Sequence, residues 1–413
     1  MSTETRPRQP PAEAEPSPEG PTQGHSGLRV SLALLALAMG GFAIGTTEFV
    51  SMGLLPELAD GVGVSLPVAG HVISAYALGV VVGAPVIAVL GARMPRRELL
   101  VGLMAVFLVG NAASALATGF TSLTLARFFA GLPHGAYFGV ASLVAADLVV
   151  AERRGRAVSR VMLGLAVANV AGVPAATWLG QHAGWRSAYW LVTVLAALTA
   201  VLVLWLVPHV AGDRAATGRS ELLAFKDPQV LLTLLAGAIG FGGMFAVYTY
   251  ISPTVTEVAG LPVTRVPVYV LVFGLGMVVG TPLAGRLADW SVFRSMLVGS
   301  AAMGLTLVAF TVTSKWFVPG LVTAFVLTTF GSVLVVNLQM RLMQVAGRAQ
   351  TIGAAMNHAS LNVANALGAW LGGVVVAAGF GYTAPAWAGA GLAFGGLVVV
   401  LVSAALHRWR RPV

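Results

Sequence analysis

A single carboxylate, Glu48, stands inside Gly40 to Pro56, GGFAIGTTEFVSMGLLP, a stretch otherwise apolar enough to cross a bilayer. An acid in that setting costs roughly 2.5 to 3.5 kcal/mol even on lenient insertion scales, so it points to function and calls for a partner. Arg127 is the candidate. Counting from the expected span edges, both residues lie about 9 to 10 Å below the same membrane face at 1.5 Å rise per residue, a depth that suits an ion pair. The alternatives are an arginine that snorkels to the headgroups and an acid with a purely structural role. The proton affinity of a carboxylate in a low-dielectric cavity changes as the cavity opens to either side, which is what coupling proton flow to a conformational cycle requires. The other acids in or near apolar segments, Glu57, Asp147, Glu257 and Asp289, fall at segment ends where water is available.

Amides and rings form a second set of candidates. His358, Asn362 and Asn365 recur at i, i+4 and i+7, a polar stripe on one helix face, with Asn357 beside it. The stripe faces either a substrate cavity or another helix through interhelical hydrogen bonds. His134, within GLPHGAYFG, is either a proton relay or a satisfied structural histidine. Thr46, Thr47, Tyr76, Tyr137, Asn169, Tyr248, Tyr250, Asn337 and Gln339 complete the candidate substrate-cavity set.

The elements that position these groups follow from composition. With 57% hydrophobic and 9% charged residues the chain is no soluble globule, for which about 25% charged is usual. Twelve apolar segments, each near the roughly 20 residues that span a bilayer, are expected at about 30–55, 68–91, 98–118, 121–146, 157–180, 186–207, 229–256, 266–288, 294–313, 316–341, 350–378 and 383–406. Residues 1–27, rich in Pro, Glu, Ser and Gly, read as a disordered cytoplasmic tail and not as a signal peptide. The expected division is a six-helix half over 28–207, a cytoplasmic loop over 208–228, a second half over 229–406 and a short tail over 407–413. With the N-terminus cytoplasmic, twenty of the 24 basic residues fall on the inner side and four on the outer, so the net charge of +9 reflects membrane orientation and not nucleic-acid binding. Both termini are then cytoplasmic. The absence of cysteine excludes disulfides and thiolate metal sites.

The halves repeat. Leu78 to Gly102 aligns without gaps at an offset of 197 with Leu275 to Gly299, with 11 of 25 positions identical, among them Gly83 with Gly280, Pro85 with Pro282 and Arg97 with Arg294. VANVAG (167–172) matches VANALG (363–368) and pairs Asn169 with Asn365. Repeated halves with a site between them are characteristic of secondary transporters. The second half has no acidic twin of Glu48; uncharged Thr249 or Tyr250 stands near the corresponding place. No metalloprotease, nucleophile-elbow or phosphate-loop pattern occurs, so no enzyme, cofactor or metal site is expected. The driving force would be a proton gradient.

The segments IGTTEFVSMGLLP, AGHVISAYALGVVVGAP, RFFAGLPHGAYFGV, VANVAGVPAATWLG and NHASLNVANALGAWLGG together resemble the major facilitator superfamily. The likeness is closest to bacterial twelve-span drug:proton antiporters of the arabinose-efflux and chloramphenicol-exporter type. The resemblance implies an all-α polytopic membrane protein of twelve transmembrane helices in two six-helix halves, with helices 1, 4, 7 and 10 around a central cavity, 2, 5, 8 and 11 between the halves, and 3, 6, 9 and 12 outside. It implies a monomer in the bacterial cytoplasmic membrane that exports small molecules such as antibiotics against protons by alternating access. Efflux of a sugar or nucleobase-like metabolite is the alternative, and a membrane sensor a remoter one. Glu48 and Arg127 would be the proton-coupling residues, Arg127 matching the family's span 4 arginine. Gly172 and Pro174 match the antiporter motif, although Ala175 and Ala176 replace its following glycines. The loop motif after span 2 keeps Arg93, Arg96 and Arg97 but has Ala92 where the family has aspartate and Pro95 where it has glycine. Its repeat counterpart keeps the acid as Asp289, followed by Arg294, so a cytoplasmic charge latch is expected to rest on the second half.

Overall fold

The computed structural model describes residues 27–64, 66–209, 223–347 and 349–409. The tail expected over 1–27, most of the loop expected over 208–228 and the last residues of 407–413 lie outside them. Among the described residues the chain is helical throughout, as an apolar chain must be where lipid offers its backbone no hydrogen bonds.

The first six spans are α1 (Gly27–Gly53), α2 (His71–Gly91), α3 (Arg96–Leu116), α4 (Phe120–Asp147), α5 (Ala151–Ala183) and α6 (Trp185–Leu206). After α7 (Pro228–Thr249), the chain forms one 48-residue helical stretch, Val266–Thr313. At 1.5 Å per residue that is about 72 Å, more than twice a bilayer's hydrocarbon. It breaks at Ser291, whose backbone is extended (φ −169°, ψ 106°), into α8 (266–290) and α9 (292–313). Eleven continuous apolar helices thus supply twelve spans, with α10 (Phe317–Val345), α11 (Ile352–Phe380) and α12 (Ala384–His407) closing the series. The observed ends lie within a few residues of the expected ones in most spans. The largest difference is at α7, expected to reach 256, where the helix stops at Thr249 and short turns, Ile251–Pro253 and Thr254–Val258, follow.

The sequence repeat reappears as repeated packing. A Cβ on Gly79 would lie 2.2 Å from the Phe128 carbonyl oxygen, and one on Gly83 2.0 Å from that of Leu132, so α2 and α4 touch backbone to backbone. At the same offset of 197, Gly276 meets the Phe325 carbonyl at 2.5 Å and Gly280 that of Thr329 at 2.4 Å, between α8 and α10. Small residues at such crossings replace the hydrophobic drive that lipid removes.

The halves meet through α11 against α2 and α4, and through α8 against α5. Of these, α2, α5, α8 and α11 are the interface helices that the resemblance implies, and α4 joins them. The closest of these contacts lie toward the end of the bundle that carries the arginine-rich α2–α3 and α4–α5 turns, hereafter the basic end. There Ala88 packs with Ala349 and Ile352, and Gly139 abuts Ala354 and Ala355. At the opposite end, a cluster around Leu54, Leu58, Trp185 and Tyr189 is built from the first half alone. The bundle is therefore sealed at the basic end.

Candidate functional site

A cavity of about 90 Å³ lies between the halves, lined by α1, α5, α7, α8, α10 and α11. Glu48 lines it from α1, and its carboxylate makes no hydrogen bond or ion pair among the described residues. The α11 stripe faces the same space: His358, Asn362 and Asn365 all line it. Asn169 reaches it from the π-helical turn Ala168–Gly172 of α5, and Tyr248 from α7. A widened turn of this kind leaves room beside the helix and is frequent at functional sites.

The repeat extends into the lining. Met162, Leu165, Ala166 and Asn169 on α5 sit 196 residues before His358, Leu361, Asn362 and Asn365 on α11, and all eight line the cavity. Its two walls are thus built alike but differ in polarity at two of the four positions, where Met162 and Ala166 on α5 stand against His358 and Asn362 on α11. Opposite Glu48 at the 197 offset stands Phe245, which also lines the cavity; Thr249 does not, and Tyr250 instead donates to the Ala369 carbonyl at 3.1 Å.

Arg127 does not form the direct pair with Glu48 that depth alone suggests. It is fully buried, which rules out snorkelling, and its two terminal nitrogens donate to Thr47 Oγ1 (2.9 Å) and the Thr47 carbonyl (3.0 Å). Its guanidinium lies 4.4 Å from the Tyr76 ring centroid and 5.3 Å from that of Tyr189. Thr47 Oγ1 donates in turn to Asn111 Oδ1 at 2.6 Å. The reason is rotational: successive helical residues point 100° apart, so Thr47 faces α3 and α4 while Glu48 faces the cavity. Equal depth does not set azimuth. The arginine therefore fixes the turn of α1 that carries the acid.

Nine further candidates lie in helix contacts outside the lining. Thr46 donates to the Phe42 carbonyl (2.8 Å), and Tyr137 to that of Leu37 (3.0 Å). Tyr76 and His134 are hydrogen-bonded to each other at 3.1 Å. Asn337 donates to the Val333 carbonyl at 2.8 Å, while Gln339 and Asn357 are buried. Tyr250 is bound to α11 as above, and Thr47 belongs to the Arg127 cluster. Contrary to the arrangement implied by the resemblance, α4 contributes no lining residue. Phe241, Met244 and Phe245, with Tyr248, form an i, i+3, i+4, i+7 stripe on α7 that lines the cavity. In the sequence this apolar spacing is that of ordinary helix packing.

At the basic end, Asp289 Oδ1 accepts from the backbone N–H of Gly155 (2.7 Å) and Arg156 (3.4 Å), and Oδ2 pairs with Arg156 Nε at 2.7 Å. An acid from the second half thus sits at the start of α5. Arg96 pairs with Asp147 and Arg97 with Glu98 (3.0 Å), both inside the first half. Arg93 is exposed in the turn after α2, and Arg294 lies 5.4 Å from the Trp290 ring. Gly172 lets α5 approach α1, since a Cβ there would fall 2.2 Å from Thr46 Oγ1; Pro174 follows on the exposed side.

Comparison with known proteins agrees with this architecture. Residues 37–357 match the Major Facilitator Superfamily model. The inner membrane transport protein YdhP of Escherichia coli O157:H7 is 40% identical over 380 residues, covering 91% of this chain and 97% of that one. A chloramphenicol resistance protein of Streptomyces lividans is 35% identical, covering 86% and 92%. The crystal structure of FucP, a transporter of the superfamily in the outward conformation, shares the fold with a TM-score of 0.75 at 13% identity, covering 91% and 99%. The chain therefore belongs to the Major Facilitator Superfamily, as a membrane transporter of the arabinose-efflux and chloramphenicol-exporter type.

Proposed function

We propose that the protein is a proton-coupled exporter of small, largely apolar molecules such as antibiotics, working by alternating access. One observation carries this reading: a carboxylate, Glu48, faces the central cavity with no hydrogen bond or ion pair among the described residues, while Arg127 clamps the adjacent residue. An acid so placed exchanges protons with whichever side the cavity faces, and it competes with substrate for the same space. The aromatic and methionine lining from α7 suits an apolar ligand, and the chloramphenicol resistance protein is a relative at 35% identity. The arginine-rich turns support reading the basic end as cytoplasmic, and on that reading a bundle closed there is an outward-facing form with Asp289 as a cytoplasmic latch.

The amides Asn169, Asn362 and Asn365 favour a second reading, efflux of a hydroxyl-rich metabolite. A susceptibility panel in an exporter-deficient host, including phenicols, separates the two. Raised tolerance to at least one antibiotic is expected. Unchanged tolerance together with sugar or nucleoside efflux would overturn the drug reading.

A further inference from the structure

Away from Glu48, a chain of hydrogen bonds crosses from one half to the other. Tyr76 Oη on α2 lies 3.1 Å from His134 Nδ1 on α4, and His134 Nε2 lies 3.1 Å from His358 Nδ1 on α11. We propose that His134 and His358 form a second proton-handling element: they share one proton across the interface, hold the basic end closed while they do so, and part when the pair takes up another. This rests on the reading of the protein as a proton-coupled carrier.

The local sequence builds the contact. Gly135 and Gly139 flank His134 by one and five residues; a Cβ on Gly135 would lie 3.0 Å from the Ala355 carbonyl, and one on Gly139 2.6 Å from the Ala355 nitrogen. Their absence of side chains brings α4 and α11 close enough for imidazoles to meet. Phe138 stacks on His358 at 4.2 Å and 15°, which fixes the ring plane. Both rings are buried, and His358 Nε2 is a buried polar atom without a partner. His358 also lines the cavity, so the chain ends at the substrate space.

The proton count follows from the donors. A neutral imidazole has one N–H and one bare nitrogen. With Tyr76 donating to His134 Nδ1, His134 Nε2–H donates to His358 Nδ1, and the remaining N–H of His358 is on Nε2. A proton added at His358 Nδ1 leaves two N–H groups facing each other 3.1 Å apart, and the bond is replaced by repulsion. Once the halves separate, both rings can reach water. Proton uptake therefore favours the parted form, and a closed form favours release. The packed helices carry the carboxylates Glu48 (α1), Glu98 (α3), Asp147 (α4) and Glu152 (α5), the phenols Tyr76 (α2), Tyr137 (α4), Tyr248 and Tyr250 (α7), the imidazoles His71 (α2) and His407 (α12), and the arginines Arg96 and Arg97 (α3), Arg127 (α4), Arg153, Arg154, Arg156 and Arg160 (α5) and Arg341 (α10). Among the described residues neither ring has a carboxylate partner, so no counter-charge would hold an added proton in the closed form.

The chain has no cysteine, which permits a clean spin-label test. Labels at Met94→Cys and Gln344→Cys, both exposed at the basic end and on opposite halves, report its width by electron-electron distance measurement. On acidification from about pH 8 to about pH 5, across the range where histidine titrates, the long-distance population is expected to grow. His134→Gln and His358→Gln, each made separately, should abolish that growth. Its persistence in either histidine variant, or its absence in the parent, would overturn the proposal. Should the variants fail to fold, ¹⁵N-histidine spectra of the parent at pH 8 decide: coupling between the two rings across the hydrogen bond supports it, and two uncoupled rings contradict it. Failure of the exporter reading alone would show differently, as pH-dependent opening without proton-driven transport.

Discussion

The turns after α2 and after α8 descend from one repeated sequence, yet they do opposite jobs. In the second half, Asp289 crosses to the other half and accepts from the backbone N–H groups of Gly155 and Arg156 near the start of α5. In the first half the equivalent position is Ala92, and the arginines there turn inward to Asp147 and Glu98. Ala88, one turn earlier, still packs on Ala349 and Ile352 at the start of α11, so the contact surface survives without its charge. The cavity shows the same division, with an acid on α1 against Phe245 on α7, and His358 and Asn362 on α11 against Met162 and Ala166 on α5. The backbone repeat sets where helices touch; a few side chains on one half or the other set what the contact does.

Substitutions at equivalent positions can break or sharpen that comparison. The largest effect is expected from Arg127→Ala, whose counterpart in the second half is already Ala324. Losing two charge-assisted bonds and leaving the Thr47 and Asn111 groups buried should cost about 3 to 5 kcal/mol, read as a lowered Tm in detergent. Next come Gly83→Ala and Gly280→Ala, each forcing a methyl onto a backbone carbonyl. Both should destabilise by about 1 to 3 kcal/mol and by similar amounts, because the repeat packs them alike. A loss at one with no effect at the other would show that the likeness is not energetic.

Asp289→Asn removes a charge-assisted contact worth about 1.5 kcal/mol, which should shift the closed-to-open ratio at the basic end about tenfold toward open, measured by cysteine accessibility near Ala88. Ala92→Asp is the reverse experiment. An added acid facing the start of α11 should favour closure by about two- to fivefold, the scale of a carboxylate at a helix N-terminus. No change would mean that the first-half turn has lost the geometry as well as the acid.

Much of this arrangement was legible in the residues. Spans read out because each must satisfy its own backbone in lipid, and the repeat because Gly83, Pro85 and their partners keep helix crossings close. Glu48 stood out because its burial is expensive. Azimuth was not legible: only the assembled bundle shows that Thr47, not Glu48, meets Arg127. The continuity of α8 into α9 was hidden by the charged residues around Asp289, which are accommodated within helix on either side of Ser291. The α7 stripe of Phe241, Met244 and Phe245 reads as ordinary packing until a cavity lies beside it. His134 and His358 are 224 residues apart, and nothing local announces that they meet.

The central claim is that the cavity-facing acid of α1 couples protons to transport. In proteoliposomes, Glu48→Gln should retain substrate counterflow without a proton gradient and lose uphill export driven by one, by about 10²-fold, the scale of removing a positioned proton-transfer group. Uphill export by Glu48→Gln that still tracks the imposed gradient would contradict it.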